Sequence, residues 1–400
     1  MKNQKVWSIS EAKNVNTKNQ KVVLITGVSG QDGSHMVDYL LKTTDHIIFG
    51  GVRRLSVQNY ENLEHISSSR FHLVNFDLTD STSISSLLQA INPDYFINFA
   101  AQSYVASSWD FALQTWETNT TGVLNSLEAI RLYCPQCRFY NAGSSEEFGN
   151  ISYTPQDENH PLKPRSPYGA SKAAARQLVK VYRESYNLYA VQGWLFNHEG
   201  ERRGYEFVTR KITQGVTRIY KELLDGKTVT PIELGNVNAR RDWSYAGDFV
   251  EGVWMMMNQE IYNKSLNEKY FEEYPELYND EENKKQMTEW QSKHIKDYVL
   301  SSNETHSIRE FVELAFKYVG IRGNWHREGV NEIFSNEYYG VLLQINPAFY
   351  RPAEVDILLG NSNLARNELG WAPKTSFDEL VKMMVKSDLL KEDVHFSDEI

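Results

Sequence analysis

Tyr168 and Lys172 have the residue types and the spacing of a proton-transfer pair. Residues four apart lie on the same face of a helix, and Pro167 suits the first turn of one. A lysine ammonium beside a phenol favours the phenolate and lowers the tyrosine pKa from about 10. Tyr168 is therefore a candidate base near neutral pH. With 23 tyrosines in the chain, about one such pair is expected by chance, so its position in the chain must decide.

Ser144 and Glu146 stand shortly before that pair, in the run GSSEEFG at the end of a predicted strand. Hydroxyl and carboxylate groups at the carboxyl end of a parallel strand are catalytic candidates, because ligands bind at that edge of such sheets. Serine-rich turns are also common connections. The nearby Tyr168 and Lys172 favour the catalytic interpretation.

A glycine turn near the N-terminus carries the spacing GxxGxxG, with glycines at 27, 30 and 33. It joins a short apolar run, Val22–Ile25, to an apolar-periodic helix. Residues without Cβ allow a tight turn and a close approach of pyrophosphate, and the helix start offers N–H groups to it. An ordinary glycine turn would have the same composition, but the strand–turn–helix context predicts dinucleotide binding.

The ends of the next predicted strands carry further cofactor candidates. Arg53 and Arg54 follow the second strand, where an NAD site usually has an acid, so the two arginines favour the 2′-phosphate of NADP. The alternative is a pair of solvated surface arginines. The predicted NADP site comprises Gly27, Ser29, Gly30, Gln31, Asp32, Gly33, Arg53, Arg54, Asp77, Leu78, Ala100, Ala101, Gln102, Ser103, Tyr168 and Lys172.

The elements that must position these residues alternate along the chain. Strands are predicted over 21–26, 46–52, 71–76, 95–100, 138–143 and 189–196, and helices near 32–43, 81–91, 109–132 and 167–186. This alternation predicts the α/β class, with a doubly wound parallel Rossmann sheet and a smaller α/β C-terminal substrate-binding domain. Further helices are predicted over 207–224, 307–319 and about 377–389.

Bulk properties restrict the class of protein. The 400 residues suggest two domains, and the net charge of −10 argues against a nucleic-acid surface. We find no apolar run that would span a membrane and no apolar signal core, and we expect a cytoplasmic protein. No metal site is expected. Cys134 and Cys137 follow a predicted helix, the wrong end for a redox pair, and a structural role is favoured.

Seven segments together resemble the extended short-chain dehydrogenase/reductase superfamily, which acts on nucleotide sugars, and within it the GDP-mannose 4,6-dehydratase family. They are TGVSGQDGS (26–34), NAGSSEEFG (141–149), RSPYGASK (165–172), LFNHEGERRG (195–204), FVTRKI (207–212), RRDW (240–243) and YRPAEVD (350–356). The similarity runs from about residue 21 to about residue 388.

The resemblance implies roles for residues of the second half. His198 and Arg203 match family positions that contact NADP. The GDP-mannose site would comprise Ser103, Asn197, Lys211, Arg218, Arg241, Arg351 and Glu354. Of these, Lys211, Arg241 and Arg351 would hold GDP and Glu354 its ribose. Surface charge remains the alternative for each. Gly200 and Glu201 replace the Ser-Pro usual in this loop, which puts its rigidity in doubt.

The resemblance also implies a reaction. Tyr168, assisted by Lys172, would remove the C4 hydroxyl proton while the C4 hydride passes to NADP⁺. Ser144, where relatives mostly carry Thr, would bond the same hydroxyl. Glu146 would remove the C5 proton and protonate the C6 hydroxyl that leaves, and the hydride would return to C6. The product is GDP-4-keto-6-deoxymannose, on the way to GDP-fucose or another GDP-6-deoxyhexose. The neighbouring Glu147 is an alternative base.

Other functions remain open from the sequence. Another nucleotide-sugar dehydratase or epimerase of the superfamily is the first alternative, and Glu146 disfavours a plain epimerase, which needs no elimination base. The second is a catalytically idle Rossmann protein, which the complete set Ser144, Glu146, Tyr168 and Lys172 disfavours. The family also implies a homodimer or homotetramer, with the loop 53–57 at the tetramer contact.

The predicted domain organisation has four parts. Residues 1–20 form a flexible leader. Residues 21–200 form the NADP-binding domain, to which 234–258 and 298–306 return. Residues 201–233 and 307–400 form the domain that binds the GDP-sugar. Residues 259–297, crowded with Glu, Lys, Asn and Tyr, form an acidic surface insertion remote from the chemistry.

Overall fold

The structure is a computed structural model that describes residues 5–17, 19–54, 59–263, 268–269, 272–273, 290–349 and 357–394. The chain forms two compact units. The first comprises Met1–Leu195, Ala246–Leu300 and Asn361–Ala372, and the second comprises Phe196–Tyr245, Ser301–Gly360 and Pro373–Ile400.

The strands of the described residues are, in chain order, β1 (Val6–Trp7), β2 (Val22–Thr26), β3 (Ile47–Val52), β4 (Phe71–Asn75), β5 (Tyr95–Asn98), β6 (Arg138–Ala142), β7 (Ala190–Leu195), β8 (Asn197–Glu199), β9 (Ile232–Leu234), β10 (Arg240–Arg241), β11 (Trp243–Tyr245), β12 (Val299–Leu300), β13 (His306–Ser307), β14 (Asn324–His326), β15 (Ile333–Asn336), β16 (Gly340–Ile345) and β17 (Ile357–Leu358).

The helices are α1 (Ile9–Lys13), α2 (Gln31–Thr43), α3 (Ser81–Ile91), α4 (Ala112–Trp116), α5 (Gly122–Tyr133), α6 (Pro167–Tyr186), α7 (Val208–Leu224), α8 (Ala246–Met256), α9 (Gln259–Tyr262), α10 (Ile308–Lys317), α11 (Asn363–Glu368) and α12 (Phe377–Lys391).

The first unit is built on a parallel sheet of eight strands in the order β1-β4-β3-β2-β5-β6-β7-β12. Every residue of β2 and β3 is buried, as expected for central strands covered on both faces. Met36 of α2 and Phe249 of α8 belong to one hydrophobic core, and Leu87 of α3 and Leu127 of α5 belong to the other. Because the strands are parallel, all their carboxyl ends lie at the same edge of the sheet.

The second unit is smaller and mixed. Its sheets have the orders β13-β10-β17, β11-β8 and β14-β15-β16-β9. Helices α7, α10 and α12 pack against one another around one core, to which Val216, Phe311 and Met384 contribute. The Rossmann sheet and the α/β class are confirmed.

The predicted elements agree closely with the observed ones. The six predicted strands correspond to β2 to β7, with bounds that differ by two residues or less. The helix expected over 109–132 is interrupted, because a π-helical turn over Glu117–Thr121 separates α4 from α5. Mid-helix changes of this kind are not visible in apolar periodicity.

The N-terminal segment differs from the flexible leader expected over residues 1–20. Val6 and Trp7 pair in parallel with Leu73 and Val74 of β4 and extend the sheet. Helix α1 follows, with a capping box formed by Ser8 and the residue three positions on, Glu11. A two-residue strand is too short for a periodic signal, whereas the capping box was readable in the sequence.

The unit boundaries also differ from the expected ones. The first unit ends at Leu195 rather than at residue 200, and the chain returns to it over Ala246–Leu300 and again over Asn361–Ala372. The last return was expected in the substrate domain. Trp371 explains it, because its buried ring packs edge-on against Phe249 and its Nε1 donates to the carbonyl oxygen of Asp248.

The described ends of the expected insertion over 259–297 are integrated into the first unit. Gln259 is buried and exchanges hydrogen bonds with the main chain of Lys296. Asp297 forms an ion pair with Arg183 at 2.9 Å. Although burial opposes ionisation, that guanidinium holds the pKa of Asp297 below its ordinary value. Most of residues 264–289 lies outside the described residues.

Candidate active site

The glycine turn between β2 and α2 has the close packing that a dinucleotide site requires. Gly27 has φ +66°, and a Cβ there would lie 2.7 Å from the main-chain nitrogen of Ala100. A Cβ on Gly33 would lie 2.6 Å from Cα of Val28. Gly30 is the N-cap of α2 and has no side chain that could cover the helix start. The turn therefore fits a pyrophosphate at the N-terminus of α2.

The other predicted cofactor residues follow the carboxyl ends of neighbouring strands. Arg53 and Arg54 follow β3 and are exposed. Asp77 follows β4, where its Oδ1 accepts from the N–H of Thr79 at 2.9 Å. Gln102 follows β5, and its N–H donates to Oδ1 of Asn119 at 2.9 Å. The parallel sheet places these loops at the same edge as the glycine turn.

The turn from Ser144 to Glu147 follows β6, and we call it the catalytic turn after the role predicted for Ser144 and Glu146. Ser144 has an extended backbone, and its Oγ accepts from the N–H of Glu146 at 3.2 Å. A 3₁₀ turn over Ser145–Glu147 then directs the two carboxylates differently. Glu146 is half-buried, whereas Glu147 is fully buried and forms an ion pair with Arg176. Glu146 is therefore the acid of this turn that a substrate can approach.

Helix α6 brings the tyrosine and the lysine to the same place. Ser166 caps it, accepting from the N–H of Gly169 at 3.0 Å. A Cβ on Gly169 would lie 2.5 Å from the carbonyl oxygen of Glu146, so the helix start packs directly on the catalytic turn. Tyr168 is buried, with 8% of its surface exposed.

Lys172 is fixed between the helix and the end of β6. Its Nζ donates to the carbonyl oxygen of Ala142 at 2.8 Å and lies 5.9 Å from the ring centroid of Tyr168. Burial lowers the pKa of Lys172 to about 8, while the negative charges of Glu147 and Asp32 oppose that shift. The ammonium form therefore persists at neutral pH.

The second unit holds the remaining described candidates. Nδ1 of His198 lies 2.7 Å from the carbonyl oxygen of Phe196, so that nitrogen carries the proton. Arg203 forms an ion pair with Glu199 at 3.1 Å, and its guanidinium lies 3.5 Å from the ring centroid of Phe207. Arg241 is buried.

Hydrogen bonds hold the loop 197–204 in place, although Gly200 and Glu201 replace the Ser-Pro that is usual there in the family. Oγ1 of Thr209 donates to Glu199 at 2.6 Å, and Nη1 of Arg210 donates to the carbonyl oxygen of Glu201. Both donors belong to α7, so this helix supplies the rigidity that a proline would have supplied.

A cavity of about 700 Å³ lies in the second unit. It brings together Lys211 and Arg218, both predicted for the GDP-mannose site, with Phe349, whose ring centroid lies 3.9 Å from Nζ of Lys211. Asn197 and Arg241 are not among its lining residues. Arg351 and Glu354 lie outside the described residues.

Two site residues were not singled out from the sequence. Arg176 lies four residues after Lys172, so its place on the same face of α6 was readable. Phe349 carries no local signal. Within the described ranges no three His, Cys, Asp or Glu side chains gather as a metal site requires. The described helices include none that is long and apolar enough to span a bilayer.

Comparisons with known proteins agree with this geometry. The family model for GDP-mannose 4,6 dehydratase matches residues 24–284 and 281–384. The chain is 40% identical to the GDP-mannose 4,6 dehydratase of Drosophila melanogaster over 92% of its own length and 86% of that protein. The Homo sapiens enzyme of that name is 37% identical, with coverages of 93% and 92%.

Solved structures of lower identity share the fold. The dTDP-glucose 4,6-dehydratase of Bacillus anthracis, in complex with NAD, has a TM-score of 0.69 at 18% identity and covers 93% of this chain and 98% of its own. RMD from Pseudomonas aeruginosa, complexed with NADPH, has a TM-score of 0.65 at 18% identity, with coverages of 93% and 100%. The resemblance noted in the sequence is confirmed, and the chain belongs to the GDP-mannose 4,6 dehydratase family.

Proposed function

We propose that this chain is a hydro-lyase that converts GDP-mannose to GDP-4-keto-6-deoxymannose. Similarity to dehydratases over almost the whole chain supports the substrate. The observation that carries the chemistry is that Glu146 follows Ser144 in one turn, and that α6 packs Tyr168 and Lys172 against that turn.

The proposed cofactor is NADP. The glycine turn fits a pyrophosphate, and Arg53 and Arg54 offer guanidinium groups for a 2′-phosphate after β3. His198 and Arg203 are proposed as further contacts on the basis of the family. Held by these residues, NADP⁺ would supply a hydride acceptor for C4 of the sugar and a hydride donor for C6, with no net change over a turnover.

Tyr168 and Lys172 are proposed to handle the proton of the C4 hydroxyl. The Lys172 ammonium favours the phenolate of Tyr168, which accepts that proton as the ketone forms. The Oγ of Ser144 hydrogen-bonds the same hydroxyl and orients it. A serine keeps the donor and the acceptor of the threonine that most relatives carry.

Glu146 is proposed to carry the elimination. The C4 ketone acidifies the proton on C5, and the carboxylate of Glu146 removes it. The protonated Glu146 then gives this proton to the C6 hydroxyl, which leaves as water. The protons balance over one turnover. Tyr168 takes one proton from O4 as the ketone forms, and C5 regains one proton when the hydride returns to C6.

The cavity of the second unit is proposed as the place of the nucleotide. Lys211 and Arg218 supply the positive charge that a diphosphate requires in a chain of net charge −10. Ser103, Asn197, Arg241, Arg351 and Glu354 are proposed as further contacts on the basis of the family.

We also propose a homodimer that uses the surface of α4. The segment before it and α4 itself expose large apolar side chains, with Phe111 at 58%, Leu113 at 83% and Trp116 at 46%. Exposed apolar clusters of this kind mark interaction surfaces.

The tetramer contact at 53–57 stays a prediction, since 55–57 lie outside the described residues. A cytoplasmic location and a pathway towards GDP-fucose also stay predictions.

Incubation with GDP-mannose and NADP⁺ tests the proposed function. We expect a product that is lighter by one water and carries a carbonyl at C4, without net accumulation of NADPH. UDP-glucose and dTDP-glucose serve as controls and should not be dehydrated. Net NADPH formation, or a product of unchanged mass, would contradict the proposal in favour of a dehydrogenase or an epimerase.

A further inference from the structure

A buried ion pair lies beside the catalytic turn. Glu147 is fully buried, and Arg176 is 4% exposed. Nε of Arg176 donates to Oε2 of Glu147 at 2.5 Å, and Nη2 lies 3.2 Å from Oε1. Removing two charges from water costs free energy that apolar side chains of similar volume would not cost. The contacts of this pair indicate what it does besides filling space.

The Glu147 carboxylate holds the main chain of the catalytic turn. Its Oε1 accepts from the N–H of Ser144 at 2.8 Å and from Nε2 of Gln192 at 3.2 Å. The same Nε2 of Gln192 is 3.1 Å from the carbonyl oxygen of Lys172. One carboxylate thus connects the turn that carries Ser144 and Glu146, the strand β7, and the helix that carries Lys172.

The rest of the guanidinium is anchored on the far side of the pair. Nη1 of Arg176 donates to the carbonyl oxygen of Gln192 at 2.6 Å and lies 3.5 Å from Asp297. Its guanidinium carbon lies 3.4 Å from the ring centroid of Trp194. Arg176 therefore cannot move without disturbing β7, and it fixes the carboxylate from behind.

Gly143 gives the pair its access to the turn. A Cβ at this position would lie 2.7 Å from both Nη2 of Arg176 and Oε1 of Glu147. The carbonyl oxygen of Gly193 on β7 is closer still, at 2.2 Å from that Cβ position, so β7 and the charged pair both require a glycine before Ser144.

Resting on the proposed function, we propose that Glu147, backed by Arg176, is a positioning residue that fixes the Ser144–Glu146 turn against the helix of Tyr168 and Lys172. Glu147 does not touch the substrate. It acts through the N–H of Ser144, and so sets where the hydroxyl of Ser144 and the carboxylate of Glu146 stand.

The charge of Glu147 adds a second, measurable effect. The groups that face the Lys172 ammonium are Glu147 from the turn, Asp32 from α2, and Tyr168 on its own helix, with Arg176 behind Glu147. Burial lowers the pKa of Lys172 to about 8, and the charges of Glu147 and Asp32 oppose this. Without the Glu147 charge the ammonium is lost at a lower pH, so the alkaline limit of activity should move towards neutrality.

The Glu147→Gln variant tests both effects. We expect kcat to fall roughly ten- to hundredfold, as for a misplaced reactive group, with KM for GDP-mannose nearly unchanged. The alkaline limb of the kcat profile should shift to lower pH. A kcat within a factor of about three of the wild type would overturn the proposal. Glu332→Gln is the matched control, because it breaks the 2.8 Å ion pair of Arg309 in the second unit.

The double variant Glu147→Leu with Arg176→Leu separates positioning from stability. Removing both charges avoids an unpaired buried ion, so the melting temperature should recover relative to the single variant. Unlike glutamine, leucine at position 147 offers the N–H of Ser144 no acceptor, so kcat should stay low. If kcat recovers together with the melting temperature, the pair is only structural and the proposal fails.

Amide exchange at Ser144 tests the positioning independently of the reaction. In the wild type this N–H should be protected, and in the double variant, whose leucine offers it no acceptor, it should exchange faster. An unchanged exchange rate would overturn the proposal even if activity fell. If the wild type does not dehydrate GDP-mannose, the proposed function fails, and the exchange measurement still decides whether Glu147 holds the turn.

Discussion

At the scale of single residues, the two adjacent acids Glu146 and Glu147 have different surroundings. Glu146 is half-buried and near Ser144, whereas Glu147 is fully buried and bonded to Arg176. Both carboxylate oxygens of Glu147 already accept hydrogen bonds from Ser144 and Arg176, and its side chain has no exposed surface that a substrate could reach. The sequence leaves the choice between the two acids open. Their burial and contacts favour Glu146 as the base of the elimination.

Glu146→Gln should abolish dehydration and leave the cofactor bound. Glutamine keeps the shape but cannot take the C5 proton, so we expect kcat to fall by roughly 10²–10⁴, with the dissociation constant for NADP unchanged. Steady-state assays and a fluorescence titration measure the two quantities. Glu184→Gln, an exposed acid further along α6, is the control. Near-normal turnover in Glu146→Gln would remove this residue from the mechanism.

Arg54→Ala should weaken the preference for NADP over NAD. An arginine that binds the 2′-phosphate contributes nothing to the affinity for NAD, which lacks this group. The affinity for NADP alone should therefore drop, by roughly tenfold or more for one charge-assisted contact. Titrations with both cofactors give the ratio, and Lys227→Ala tests for a general effect of lost positive charge. A ratio equal to that of the wild type would mean that the 2′-phosphate is recognised elsewhere.

Local spacing explains which site residues could be predicted. Tyr168 and Lys172 share one helical face, and the same spacing leads on to Arg176. The ion-pair partner of Arg176 could not be derived, because Glu147 is 29 residues away in the chain. Only the packing of α6 on β7 and on the turn after β6 brings them together. The cavity around Lys211 shows the same limit, since Phe349 reaches it from a distant segment.

At the scale of elements, the glycine turn depends on contacts as well as on backbone angle. Gly27 and Gly370 have similar φ values of +66° and +74°, but a Cβ would meet the backbone of Ala100 only at Gly27. Gly370 has no atom within 4 Å of that position. Both lie in the first unit, so they form a matched pair.

Gly27→Ala should therefore lower the free energy of unfolding much more than Gly370→Ala does. We expect Gly370→Ala to lower the free energy of unfolding by about 1–2 kcal/mol through its φ alone. Gly27→Ala should lower it by roughly 2–5 kcal/mol and should weaken NADP binding, because the overlap pushes the turn away from β5. Denaturant unfolding of both variants measures this difference. Equal losses would show that Ala100 yields without cost.

Elements with long apolar patterns were predicted well, and short ones were not. Helix α6 has the predicted bounds, because Ser166, Pro167 and the apolar face all mark it. Strands β1 and β12 have two residues each, and their place at the two edges of the sheet follows from packing that no window of sequence contains.

At the scale of the whole molecule, the sequence predicted two domains but not how the chain divides between them. Periodicity identifies an element without saying which sheet it joins. Helix α11 and the following Trp371 belong to the first unit although both neighbouring segments belong to the second. The burial of Trp371 against Phe249 assigns this segment to the first unit, and this contact joins residues that are far apart in the chain.

The proposed dimer is tested by placing a charge on the surface of α4. Leu113 is 83% exposed in the single chain, so Leu113→Glu should leave the melting temperature of a monomer unaffected. In a dimer the carboxylate would be buried without a partner, which costs several kcal/mol. We therefore expect light scattering to give a dimer for the wild type at micromolar concentration and a monomer for Leu113→Glu. Leu224→Glu, at a 63% exposed position of the second unit, should stay dimeric. A monomeric wild type, or a dimeric Leu113→Glu variant, would exclude this surface.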